Sequence, residues 1–294
     1  MLENQTILVA GGSGFIGSHL VQALASTGNN RVLSLDTYFT GTRDNHVAGV
    51  EYIEGHTKDI ADLCPDAPDL VFHLGEYSRV EQSFQDMALV WDLNKAGTFG
   101  VVEYCRQRGS KLVYAGSSTK FADGGMGRDQ SPYAWTKATN TELVMNYGQW
   151  FGLEFAITYF YNVYGPREIT CGEYATVLGI FRSQFEAGVP LTVVSPGTQR
   201  RNFTHVDDIV RGLILVGEHG SGDEYGLGAD ASYSVLEIAG LFGGQTHMLP
   251  ERRGNRMDAA LDSSKATSLG WHTERCVEQY IAGIVKAKSN GSTG

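Results

Sequence analysis

"ILVAGGSGFIGSHL", residues 7–20, is the stretch whose reading decides the fold. A short apolar run ends at Gly11; Gly14 and Gly17 follow, and apolar residues then recur at helical spacing. Glycines at these points let the backbone turn tightly and approach a pyrophosphate, whose charge then faces the N-terminus of the helix. A glycine turn needed only for close packing would contain the same residues. The strand before it and the helix after it are the context that a dinucleotide site requires. A second strand ends at Asp36, 25 residues after Gly11. A carboxylate there can bind the ribose hydroxyls of an adenosine and would repel a 2′-phosphate, which favours NAD over NADP.

Outward from this turn the pattern repeats. "TILVA" (6–10), "RVLSLD" (31–36), "VEYIEG" (50–55), "DLVFHLG" (69–75), "KLVYAG" (111–116) and "FAITYF" (155–160) are short apolar runs rich in β-branched and aromatic residues. Amphipathic segments at 15–27, 86–108 and 133–151 separate most of them. The alternation predicts an α/β fold, a doubly wound parallel sheet of Rossmann type covered on both faces. After about residue 163 the elements shorten and glycines multiply. We therefore expect an NAD-binding domain over 1–163, with a return segment near 203–228, and a smaller, mainly substrate-binding part over 164–294.

Composition narrows the function. Of 294 residues 42% are hydrophobic and 19% charged, as in ordinary globular proteins. The net charge of −10 disfavours a non-specific nucleic-acid or anionic-membrane surface. An anionic ligand would have to be held by placed arginines and backbone amides. The four cysteines (64, 105, 171 and 276) show no metal-type spacing and read as reduced thiols of a cytoplasmic protein. We find no leader-like segment, no apolar run of the ~18 residues a membrane span needs, and no metal motif.

The chemistry is suggested further on. In "SPYAWTKATN" (131–140) Tyr133 precedes Lys137 by four residues, which stacks the two on one helix face. A nearby ammonium favours the phenolate, which would make Tyr133 a usable proton acceptor. Two helix residues that happen to be four apart would look the same. "VYAGSSTKF" adds Ser117, Ser118 and Thr119 at a strand end, where a hydroxyl could hold a substrate oxygen while Tyr133 removes its proton. His73, inside an apolar strand, reads as a packed core histidine, and Asp207 with Asp208 as caps of the following helix.

The glycine turn, Ser117 and Tyr-x-x-x-Lys, in that order, resemble the extended short-chain dehydrogenase/reductase family, closest to its nucleotide-sugar epimerases and dehydratases. "VFHLGEYSRVEQS", "DLNKAGT", "YFYNVYGP", "QRRNFTHVDDIV" and "RRGNRMDAALDSSKATSLGW" resemble further family segments along nearly the whole chain. The resemblance implies Tyr133 as general base or acid, Lys137 as its modifier and a ligand of the nicotinamide ribose, and Ser117 as the hydroxyl partner. It implies cofactor contacts from Phe15, Ile16, Leu74 and Gly75 beside the glycines. For the substrate it implies Ser118, Asn94 and Asn162, and Arg201 with Arg252 on the nucleotide phosphates. It also implies a homodimer through 86–108 and 133–151, for which Leu143, Val144, Tyr147 and Trp150 would supply an apolar face.

Departures from the pattern refine the expected activity. Family 4,6-dehydratases carry Asp-Glu directly after the active hydroxyl residue, whereas this chain has Ser118-Thr119. That favours an NAD-dependent UDP-hexose or UDP-N-acetylhexosamine 4-epimerase. A 4,6-dehydratase or 4-keto-reductase is the alternative, and a non-catalytic nucleotide sensor the reading from another class. Glu76 stands at a position usually Ala or Gly and is the carboxylate that could reverse the choice. His56 stands where the family's adenine-contacting aspartate lies. Ala259, four residues after the Arg-x-Gly-Asp position Asn255, matches a residue that sets the width of the hexose pocket; alanine leaves room for an acetamido group.

Overall fold

The computed structural model describes residues 2–121, 127–251 and 262–291. Seven parallel strands form its central sheet: β1 (Thr6–Ala10), β2 (Arg31–Asp36), β3 (Val50–Glu54), β4 (Leu70–His73), β5 (Lys111–Ser117), β6 (Phe155–Phe160) and β7 (Gly222–Leu227). Their order is β7-β6-β5-β4-β1-β2-β3. The chain therefore reverses direction across the sheet between β1 and β4, which opens a crevice at the C-terminal ends of those two strands.

Helices α1 (Phe15–Ser26), α2 (Gly97–Arg108), α3 (Pro132–Phe151), α4 (Val177–Ala187), α5 (Val206–His219), α6 (Val235–Phe242) and α7 (Val277–Gly291) complete the main framework. On one face α1 and α5 lay Leu20, Leu24, Ile209 and Leu213 over Ile7, Val9 and Phe72. On the other, α2 and α3 lay Val101, Cys105 and Val144 over Leu8, Val71 and Leu112. Successive β1 residues thus serve opposite cores, which is why the strand is apolar throughout instead of alternating. Each fully buried aliphatic side chain contributes about 1.5–3 kcal/mol. A third core, around Phe181, Leu191, Val193, Phe242 and Ile281, joins α4, α6 and α7.

The six strands predicted from sequence are present, with ends shifted by no more than two residues. β7 was not predicted. Its sequence, GDEYGL, has glycines and acids that strands avoid, and it adds only to the sheet's edge, pairing with β6 through an irregular register. The segment expected as one helix over 86–108 is a turn of helix at Met87–Val90, a wider π-helical stretch at Trp91–Ala96, and then α2. Three of the four residues expected on an exposed face are packed within the chain: Val144 and Tyr147 are buried and Leu143 lies against the same core. Trp150 is exposed, together with Met87, Trp91, Phe99, Trp135, Met145 and Phe151.

All four cysteines are free. Among the described residues no group of three or more His, Cys, Asp or Glu side chains could hold a metal ion. No described helix is long and apolar enough to cross a membrane.

Candidate active site

The crevice at β1 and β4 continues into a cleft of about 620 Å³, within the range that encloses small ligands. Its floor is the glycine turn. Gly11 has φ +84°, and a Cβ there would lie 2.8 Å from the Gly75 nitrogen, so the turns after β1 and β4 meet backbone to backbone. A Cβ on Gly17 would come within 2.0 Å of the Gly11 carbonyl oxygen. Gly14 differs, because its Cβ would meet nothing nearer than 3.4 Å and the residue lines the cleft. It is also the N-cap of α1, and no side chain caps the first amides. Free amides at the positive end of a helix, facing open space, fit a pyrophosphate. Phe15, Ile16 and Leu74 line the same cleft, and Gly75 an adjoining side pocket.

Asp36 lies in that side pocket with Gly11 and Gly14. Its Oδ2 accepts the Ser13 N–H at 2.9 Å and its Oδ1 the Tyr38 N–H at 2.8 Å. Burial raises its pKa, opposed by the backbone donors of Tyr38, Ser13 and Gly14. The carboxylate is thereby fixed over the turn with lone pairs left for ribose hydroxyls. The residues present fit NAD. His56 instead caps the turn Thr57–Asp59, its Nδ1 accepting the Lys58 N–H at 3.0 Å, while Thr57 lines the side pocket.

The opposite wall carries the candidate acid–base group. Ser131 caps α3 by accepting the Ala134 N–H at 3.1 Å, and Pro132 occupies the first helical turn, so the helix start is well defined. That places Tyr133 on the first turn, where its hydroxyl donates to Ser117 Oγ at 3.1 Å. Ser117, the last residue of β5, also pairs with Thr119 Oγ1 at 2.9 Å. Tyr133, Ser117, Ser118 and Lys137 all line the cleft. One turn below Tyr133, Lys137 Nζ donates to Glu76 Oε2 and to the Ala115 carbonyl.

The cleft extends past Asn162, whose φ is +38° and whose Nδ2 donates to the Asn202 carbonyl at 3.2 Å, to Arg201 on the short strand Arg200–Asn202. Arg252 and Ala259 lie outside the described residues. Asn94 does not join the site. It is fully buried in the π-helical stretch, its Oδ1 accepts the Tyr77 N–H at 2.7 Å, and its Nδ2 donates to the Tyr77 carbonyl and Thr136 Oγ1. Both ends of its amide are used in tying the loop after β4 to α3, and Asn94 is not among the residues lining the cleft. His73 is a core residue, as expected, and its Nε2 meets Thr98 Oγ1 at 2.9 Å. The cap of α5 is His205, not an aspartate: its Nδ1 accepts the Asp207 N–H. Asp208 is fully buried and instead accepts the backbone N–H groups of Glu274 and Arg275.

Sequence reasoning passed over Arg79. Its guanidinium lines the cleft and is anchored by the Tyr174 carbonyl, through Nε at 2.8 Å and through Nη2. Burial lowers its pKa, opposed by Tyr133, Tyr77 and Tyr174. Nothing local in "YSRVEQS" signals this, because Tyr174 is 95 residues away.

Comparison with known proteins agrees with this geometry. The profile of the NAD dependent epimerase/dehydratase family matches residues 7–228. A UDP-glucose 4-epimerase of Mycolicibacterium smegmatis is 30% identical, over 97% of this chain and 99% of its own. The crystal structure of UDP-glucose 4-epimerase with UDP-glucose from Thermotoga maritima superposes with a TM-score of 0.89 at 25% identity, covering 98% of this chain and 100% of that one. The Thermus thermophilus UDP-glucose 4-epimerase in complex with NAD gives 0.86 at 27% identity, covering 97% and 99%. With a glycine turn and a Ser–Tyr–Lys wall in one cleft, and a ribose-ready aspartate in its side pocket, the chain belongs to the NAD dependent epimerase/dehydratase family.

Proposed function

We propose that the protein is an NAD-dependent 4-epimerase of a UDP-hexose. The observation that carries this reading is the Tyr133–Ser117 hydrogen bond in the cleft, with Ser118 and Thr119 at the positions where related dehydratases carry their acid and base. Ser117 orients the C4 hydroxyl of the sugar and Tyr133 removes its proton. Bound NAD would supply a hydride acceptor and donor for C4. The 4-keto sugar then turns over, and Tyr133 gives the proton back. Asn162 and Arg201 hold the nucleotide diphosphate end, with Arg252 as a further expected partner. A dehydratase reading would need a free carboxylate at the sugar for water elimination, whereas a 4-keto-reductase needs only a hydride and a proton and is told from an epimerase by its product. Glu76 lines the cleft, but its side chain is only 3% exposed and is engaged with Lys137.

Ala259 supports acceptance of N-acetylhexosamines. The exposed aromatic and methionine side chains on α3 and on 87–108 support a homodimer through these helices, and the free cysteines a cytoplasmic location. The test is incubation of the NAD-loaded protein with UDP-, GDP- and dTDP-hexoses, followed by NMR of the products. Interconversion of the C4 epimers of a UDP-sugar is expected. A 4-keto-6-deoxy product, or none, refutes the reading.

A further inference from the structure

Glu76 follows β4 by three residues and stands where the family resemblance leads one to expect alanine or glycine. It is buried with its partner, the side chains of Glu76 and Lys137 being 3% and 7% exposed. While Oε2 pairs with Lys137 Nζ, Oε1 accepts hydrogen bonds from Thr98 Oγ1 at 2.6 Å, Asn140 Nδ2 at 2.8 Å and Tyr114 Oη at 3.2 Å. These donors come from α2, α3 and β5, so the carboxylate is held from three sides. Burial pushes its pKa up, but Lys137, His73 and the hydrogen bonds outweigh burial and bring it below the usual value. Glu76 and Lys137 thus form a buried ion pair whose carboxylate is held by three further donors.

The consequence falls on Tyr133. An ammonium has three N–H groups; Glu76 takes one and the Ala115 carbonyl another, which leaves one for the cofactor ribose or the phenol oxygen. A lone ammonium one helical turn away would favour the phenolate. A carboxylate in contact with that ammonium opposes it, and a low-dielectric interior screens neither charge.

We propose that Glu76 is a positioning residue for the Tyr133–Lys137 pair. It pins the ammonium in one place and, by cancelling much of its charge, moves the range in which Tyr133 can act as a base to higher pH. This rests on the reading of Tyr133 and Lys137 as the acid–base pair. The other titratable groups around them are His73, held neutral by burial with a pKa of about 4, Tyr114, pushed well above its ordinary value by burial and Glu76, and Lys95, lowered by burial. Arg79 and Tyr77 line the cleft, and Tyr174 packs against both. All of these are kept in the variants below, so a difference between variants reports residue 76.

The test follows Tyr133 by NMR in NAD-saturated protein isotope-labelled at tyrosine Cζ, its resonance identified by its loss in Tyr133→Phe. Glu76→Gln keeps the shape and removes the charge. Its phenol-to-phenolate transition is expected at least about one pH unit below that of the wild type, while Glu76→Asp stays close to the wild type. The acid limb of kcat/KM moves with it, so at pH values below both midpoints turnover rises by up to about ten-fold for every pH unit by which the transition falls, less whatever the weaker basicity of the phenolate takes back. An unchanged or upward transition overturns the proposal, as does a fall in kcat while the transition stays in place. If Glu76→Gln does not fold, Glu76→Ala carries the same expectation. Absence of turnover on every nucleotide sugar would sink the proposed function, whereas the NMR titration would still decide the role of Glu76.

Discussion

The Tyr133 hydroxyl reaches Ser117 Oγ at 3.1 Å, across the gap between the first turn of α3 and the C-terminal end of β5. Both groups lie on rigid elements: one follows a capped helix start, the other ends a strand inside the sheet. Replacing Tyr133 with Phe removes one oxygen from the cleft wall and leaves the cores untouched. Folding and NAD binding should be retained while turnover falls by roughly 10²–10⁴, the usual share of acid–base catalysis. Steady-state kinetics beside a thermal melt checks both halves; turnover near that of the wild type would remove Tyr133 from its role.

Asp36 sets the expected cofactor. Its carboxylate is fixed by the Ser13 and Tyr38 amides next to the glycine turn, where a 2′-phosphate would meet a negative charge. The nucleotide released by denaturing the purified protein should have the mass of NAD. Recovery of mainly NADP would show that the ribose end has been misread.

Glu168 gives a pH dependence of stability. Its Oε2 accepts a hydrogen bond from Thr176 Oγ1, the cap of α4, at 2.6 Å, and burial pushes its pKa up to about 7. A raised folded-state value means that this stability is fully present below the unfolded value and is lost as pH rises toward the folded one. The window is from about 4.5 to about 7. Glu168→Gln removes the ionisation, so relative to wild type it should gain stability between pH 5 and pH 8, by at most about 3 kcal/mol from about 1.4 kcal/mol per pH unit. Urea unfolding at the two pH values measures it; a wild-type-to-variant difference that does not change with pH would contradict it.

The exposed apolar side chains bear on assembly. Trp150, Phe151 and Phe99 are 59%, 56% and 53% exposed, and Trp91 stacks on Trp135 with ring centres 6.2 Å apart. Exposed apolar side chains of this size on α3 and on 87–108 are expected to be covered by a second copy. Light scattering at micromolar concentration should report a dimer, and Trp150→Glu combined with Phe151→Glu should shift it toward monomer. A wild-type monomer would contradict the expectation.

Ala259 addresses the sugar. Its small side chain should permit turnover of UDP-N-acetylglucosamine, and Ala259→Tyr should lower kcat/KM for that sugar relative to UDP-glucose. If the tyrosine variant handles the acetylated sugar as well as the parent does, this residue is not the gate.

The glycine turn, the parallel strands and the helix face shared by Tyr133 and Lys137 were legible in the sequence, because each rests on local spacing, whereas the roles expected of Ser117, Tyr133 and Lys137 came from the family resemblance. Strand period, helix period and glycine tolerance act over a few residues, and a four-residue gap places two side chains on one helix face in any fold. What Lys137 touches was not legible: Glu76 is 61 residues away, brought beside it only because β4 and β5 are neighbours in the sheet. The same holds for Asn94, which looked like a substrate contact and is consumed by Tyr77 and Thr136, and for Arg79, anchored by Tyr174. Leu143, Val144 and Tyr147 read as a surface face until packing turned them onto the core, leaving Trp150 and Phe151 outside. Local chemistry determined which groups this chain can bring to a reaction. Strand order and helix packing decided which of them stand free in the cleft and which are already paired, since contact between distant residues depends on how the whole sheet is assembled.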